Sequence, residues 1–133
     1  MNTVYAREDY LGADEYIDVV RKSGLNRPIE DRGRVERMLA HANLILTARQ
    51  DGRLVGFARS LTDFCFCCYL SDLAVDKACQ GQGIGKRLIE ETRVQAGGEV
   101  TTTLLLSAPT AMTFYQGIKM PNADNCFLYR RKR

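Results

Sequence analysis

The spacing of apolar residues changes period along the chain, and each period implies a different element. Ala13, Tyr16, Ile17 and Val20 fall at i, i+3, i+4 and i+7, the stripe of an amphipathic helix that Gly24 can end. Val35, Met38, Leu39 and Ala42 repeat the stripe a short turn later. From Leu44 the period drops to two. Leu44–Gln50 reads as a strand, Asp51-Gly52 as a hairpin turn whose residues tolerate positive φ, and Arg53–Asp63 as the returning strand. Phe66–Val75 is a third strand, apolar for most of its length and therefore central. A helix follows from about Gly83 to Ala96, with Leu88, Ile89 and Thr92 inward and Gly97-Gly98 as its stop. Val100–Ala108 reads as a second buried strand, Pro109–Gly117 as a short helix, and Asn125–Arg131 as a closing strand. With an edge strand at Thr3–Arg7, the expected α/β architecture is a mixed, mostly antiparallel sheet of about six strands, flanked by about four helices.

Composition narrows the function. The 133 residues suit one domain, taken as 1–133, with 45% hydrophobic and 26% charged residues. The net charge of +3 is small and the basic residues are scattered, which argues against nucleic acid. No apolar run reaches the roughly 20 residues of a membrane span, and the polar start carries no export signal, so the expected compartment is the cytoplasm. Five cysteines, Cys65, Cys67, Cys68, Cys79 and Cys126, form no framework. Cys65 and Cys68 have C-x-x-C spacing, but there is no second pair and only one histidine, His41, so the reading is no metal and buried strand thiols.

The chemistry concentrates in Gln80-Gly81-Gln82-Gly83-Ile84-Gly85-Lys86-Arg87. Glycine inside a helix costs about 1 kcal/mol relative to alanine, so three alternating glycines at a helix mouth point to a need for bare backbone. A strand running into such a turn presents unpaired N–H groups and the positive end of a helix dipole to an anion. The Walker A pattern fails, because Gln80 stands where its first glycine belongs and Arg87 where its Ser/Thr belongs. The G-x-G-x-x-G fingerprint fails at Lys86.

What does fit is (Q/R)-x-x-G-x-(G/A), over Gln80 to Gly85. With the preceding "LSDLAVDKAC", this stretch resembles the GNAT superfamily of acyl-CoA-dependent N-acetyltransferases, and so does the order of elements along nearly the whole chain. "AMTFYQGIKM" is similar to the family's downstream helix, with Gly117 one residue early. The resemblance implies acetyl-CoA as co-substrate, with its pyrophosphate on Gln80, Gly81, Gln82, Gly83, Ile84, Gly85, Lys86 and Arg87. It implies backbone pairing of the pantetheine arm with Leu73 and Val75, and Tyr115 near the sulfur as general acid. The acceptor would be a small-molecule or peptidyl amine, and a homodimer is compatible. The general base stays open. Period two places Tyr69, Ser71, Leu73 and Val75 on one face and Asp72 on the other, so Asp72 is either a base brought round by a bulge or a relaying water, or a group that orients the loop. Two functions therefore remain, an N-acetyltransferase and a non-catalytic acyl-CoA-binding module.

Overall fold

The computed structural model describes residues 2–133. Strand β1 is Val4–Arg7. Helix α1 follows at Ala13–Ser23, closed by Gly24 at φ 81°, and then α2 at Arg32–His41, whose first turn is capped by Asp31 accepting from the Arg34 amide. The period-two segments become β2 (Leu44–Gln50) and β3 (Arg53–Thr62). Asp51 and Gly52 between them have φ 52° and 78°, the paired positive values that a two-residue hairpin with native twist requires. Strand β4 is Cys67–Val75, α3 is Ile84–Gln95 and β5 is Thr102–Leu104. A 3₁₀ turn, Pro109–Ala111, leads into the short α4, Met112–Gly117.

The sheet order is β1-β2-β3-β4-β5, antiparallel except for the parallel β4–β5 pair that α3 connects. Each face carries its own core. Tyr16, Val20, Val35 and Leu39 of α1 and α2 pack on Leu54, Phe57 and Ala74. Ile84, Leu88 and Ile89 of α3 pack on Leu46, Val55, Ala58 and Leu70 from the other side. Burial of the valine, leucine, isoleucine and phenylalanine side chains among these contributes roughly 1.5–3 kcal/mol each.

Three expectations need correction. The sheet has five strands rather than six: Asn125–Arg131 pairs with nothing in the sheet and is exposed throughout. Its apolar run, Cys126 to Tyr129, has no strand to pair with among the described residues, so apolar character alone did not make a strand. The strand expected over Val100–Ala108 contracts to Thr102–Leu104 and is half exposed rather than buried, because nothing packs on its outer edge. The cysteines are not all strand thiols in the core: Cys68 and Cys79 are buried, whereas Cys65, Cys67 and Cys126 are exposed.

Candidate functional site

The site starts at an irregularity in β4. Arg59 pairs with Asp72, and the next residue, Ser60, pairs with Leu70, so Ser71 is an extra residue opposite β3. Such a bulge reverses which face each side chain takes. Leu73 and Val75 lie against the α3-side core, and beyond the bulge it is Leu70 and Cys68 that join them there. Tyr69 turns to the opposite face, in register with Leu61 and Leu104. The strict alternation that put Tyr69, Ser71, Leu73 and Val75 on one face is therefore corrected.

The bulge coincides with an opening. β5 pairs only with Cys67–Tyr69, so Leu70–Val75 continue with no strand beside them on that side. At the end of this free stretch Asp76 caps a 3₁₀ turn, Lys77–Cys79, by accepting from the Ala78 amide. The Gln80 side chain donates back to the Val75 carbonyl at 3.2 Å. Gly81 and Gly83 have φ 83° and 78°, and a Cβ on either would meet nothing within 4 Å. Their role is thus a left-handed turn that leaves open space in front of it. Gly83 is the N-cap of α3, with no side-chain cap on the helix. The first amides of α3 consequently face outward with the positive end of the dipole, the setting for a phosphate.

The remaining loop residues divide. Gln82 accepts from Gln50 at 3.1 Å, which ties the turn to β2. Ile84 is buried in the core, so it can offer only its backbone to a ligand. Gly85 is also buried, and its missing Cβ accommodates α4: a Cβ there would lie 2.9 Å from Phe114 Cζ. Lys86 and Arg87 stand at the rim, paired with Glu90 at 4.0 Å and Glu91 at 2.8 Å, and Arg87 also lies over the Tyr5 ring.

Tyr115 follows Phe114, makes an edge-on contact with it and packs against the α3-side core. Burial raises its phenol pKa, and the Arg27 cation pulls it part of the way back. Asp72 lies on the other side of the opening and is fully buried. It accepts from Tyr16 Oη at 2.8 Å, Arg59 Nε at 2.5 Å, Arg27 Nε at 2.6 Å and Ser71 Oγ at 3.2 Å. Burial alone would push its pKa up; the hydrogen bond and charge of Arg59, with Arg27 behind them, overcome this and hold it below the usual carboxylate value.

Sequence reasoning missed Arg27, Arg59 and Tyr16. Arg59 did carry a signal. It follows Phe57 on the buried face of β3, and a charge at such a position needs a buried counter-charge. Arg27 carried none, since it lies in the connection between α1 and α2. Among the described residues, no group of three or more histidine, cysteine or acidic side chains could hold a metal, and no helix is long and apolar enough to cross a membrane.

Comparison with known proteins fits this geometry. An acetyltransferase (GNAT) domain model matches residues 20–118. The chain is 30% identical over 124 residues to serotonin N-acetyltransferase 2, chloroplastic, of Oryza sativa subsp. japonica, covering 87% of this chain and 61% of the rice protein. It is 33% identical over 100 residues to the uncharacterized N-acetyltransferase ycf52 of Porphyra purpurea, covering 69% of this chain and 54% of that one. The chain thus spans little more than half the length of these curated relatives. Among solved structures, a probable acetyltransferase from meticillin-resistant Staphylococcus aureus superposes with TM-score 0.78 at 19% identity, covering 98% of this chain and 99% of that one. An aminoglycoside N-acetyltransferase in complex with CoA superposes with TM-score 0.73 at 14% identity, covering 99% and 96%. A glycine turn at the mouth of α3, a strand left unpaired just before it and a family match across most of the chain lead to one statement: this protein belongs to the GNAT family of acetyltransferases.

Proposed function

We propose that this chain, acting as one domain over 1–133, transfers the acetyl group of acetyl-CoA to a primary amine by direct attack on the thioester. The observation that carries the reading is the free run of β4 from Leu70 to Val75 leading into the open turn at Gly81–Gly83. An unpaired strand can take a peptide-like chain beside it, and the uncapped helix end beyond can take a pyrophosphate. Leu73 and Val75 would hold the pantetheine arm through their backbone. Gln80, Gly81, Gln82, Gly83, Ile84, Gly85, Lys86 and Arg87 would form the phosphate end, with Ile84 and Gly85 contributing amides only. Acetyl-CoA supplies an acyl group already activated as a thioester. Tyr115 donates a proton on the leaving-group side; its raised pKa keeps the phenol protonated at neutral pH.

Asp72 belongs to this reading as an anchor rather than a base. A carboxylate held ionised below its usual pKa, with four donors already on it, has little capacity to take a proton from an amine. The same observation favours a second reading, a non-catalytic acyl-CoA-binding module.

The acceptor is best matched to an arylalkylamine. Leu61, Tyr69 and Leu104 are neighbours across three strands, share one face, and are 41%, 38% and 45% exposed. Such an apolar row suits an aromatic body better than a polycation, and the rice relative bears the name of a serotonin N-acetyltransferase. A homodimer also fits, since the outer edge of β5 has no partner.

The test is acetyl-CoA consumption with serotonin and other arylalkylamines, polyamines, aminoglycosides and peptide N-termini. Turnover with an arylalkylamine is expected. Tyr115→Phe should lower it roughly 10²–10⁴-fold, the scale of a lost general acid, with acetyl-CoA affinity nearly unchanged. Acetyl-CoA binding without turnover of any amine would favour the binding module.

A further inference from the structure

Arg27 is held more firmly than a loop side chain needs to be. Its Nε donates to Asp72 Oδ1 at 2.6 Å, one terminal nitrogen donates to the Ser71 carbonyl at 2.7 Å and the other to the Asn26 carbonyl at 2.7 Å. Asp72 is already matched without it, by Arg59 from β3 and Tyr16 from α1. One carboxylate and two guanidiniums leave a surplus positive charge. The Arg59 side chain is 8% exposed and that of Arg27 is 23% exposed, so the surplus lies on the Arg27 side.

The place it occupies matters. Ser71, whose carbonyl Arg27 grips, is the extra residue of the bulge and lies just past the last β4–β5 pair. At that level no strand screens one face of the sheet from the other. Arg27 acts from the α1/α2 side and Tyr115 sits on the α3 side, among Phe114 and apolar core residues. Arg27 thus stands at the end of the free run of β4 away from the Gly81–Gly83 turn, where an arm lying along Leu73 and Val75 would bring its sulfur, and its charge opposes the rise that burial gives the Tyr115 pKa.

The geometry points to Arg27 as a fixed positive charge at the opening beside the β4 bulge, placed to stabilise the negative charge that acetyl transfer leaves on the departing sulfur. The inference rests on the acetyl-transfer reading above. In that transfer the amine lone pair forms the C–N bond, the C–S bond breaks with its electron pair on sulfur, and the proton lost by nitrogen ends on sulfur. A cation already clamped in place needs no reorganisation as that charge appears. It also disfavours an acceptor's ammonium form relative to the reactive neutral amine. That suits a site whose buried carboxylate is fully engaged.

The experiment is a titration of the coenzyme A thiol on the protein by thiolate absorbance. The blank is the same protein with desulfo-coenzyme A, which removes the five protein cysteines from the difference. In the wild type the bound thiol should titrate about one pKa unit or more below free coenzyme A, the usual effect of a close opposite charge. Arg27→Gln, which keeps a hydrogen-bonding side chain but no charge, should return it toward the free value. Arg27→Lys should retain part of the shift. A bound thiol that titrates like free coenzyme A in the wild type overturns the inference without any variant, and so does a Gln variant that titrates like the wild type. Absence of coenzyme A binding in calorimetry would instead overturn the acetyl-transfer reading on which it rests.

Discussion

At the scale of single residues, Asp72 makes the sharpest claim. It is buried, ionised and shared by two arginines and a tyrosine. Removing one member of such a cluster leaves the others charged and unpaired. Asp72→Ala should therefore destabilise the fold by about 3–5 kcal/mol. The effect has a pH signature. The folded-state pKa lies below the ordinary carboxylate value, so the protonated form is the one that folding disfavours. The stabilisation is fully present above about pH 4, the unfolded carboxylate pKa, and is lost as pH falls through the lower folded value. Denaturant unfolding at a series of pH values should show the difference between wild type and Asp72→Ala shrinking as the pH falls below about 4, so that it is smaller at pH 3 than at pH 7. Equal differences at both would mean that the carboxylate charge contributes nothing.

At the scale of elements, α3 explains why its glycines are not equivalent. Gly83 sets the left-handed cap through which the chain enters the helix, and Gly85 lets α4 approach. Gly83→Val should weaken acetyl-CoA binding, because a branched residue is strained at φ 78° and the turn must reshape. Gly85→Val should instead push Phe114 outward and carry Tyr115 with it. Its loss is then expected mainly in turnover, with a smaller change in acetyl-CoA affinity. Calorimetry and initial rates on the two variants separate these roles. Identical loss of affinity in both would mean that the missing side chain of Gly85 serves the phosphate rather than α4. The β4 bulge works at the same scale: one extra residue turns Leu70 and Cys68 to the α3-side core beside Leu73 and Val75, while Asp72 meets α1 by simple alternation.

For the molecule as a whole, the outstanding feature is the β5 side of the sheet. Leu104 and Leu106 are substantially exposed beside an unpaired strand edge. Open edges with apolar neighbours tend to find a partner strand. A homodimer that covers this side should appear in sedimentation at micromolar concentration. Replacing Leu106 with serine should then shift it toward monomer without loss of folding. A wild type that sediments as a monomer across the range would remove the dimer from the proposal.

Local chemistry made much of this legible from the chain alone. The helices α1 to α3, the Asp51-Gly52 hairpin and the glycine turn all came from periodicity and backbone preference, because each is decided by residues adjacent in sequence. The family pattern over Gln80–Gly85 is local too, and it carried acetyl-CoA with it. Tertiary structure decided the rest. A bulge is a mismatch between two strands, so no count along β4 could show that Ser71 is the extra residue. That the bare Gly85 also admits α4 shows only once Phe114 arrives from 29 positions away. Arg27 and Asp72 are separated by 45 residues, and only folding brings that charge to the opening. Asn125–Arg131 has the apolar and aromatic run of a strand, yet a strand needs a neighbour to supply its hydrogen bonds, and among the described residues none is placed to do so.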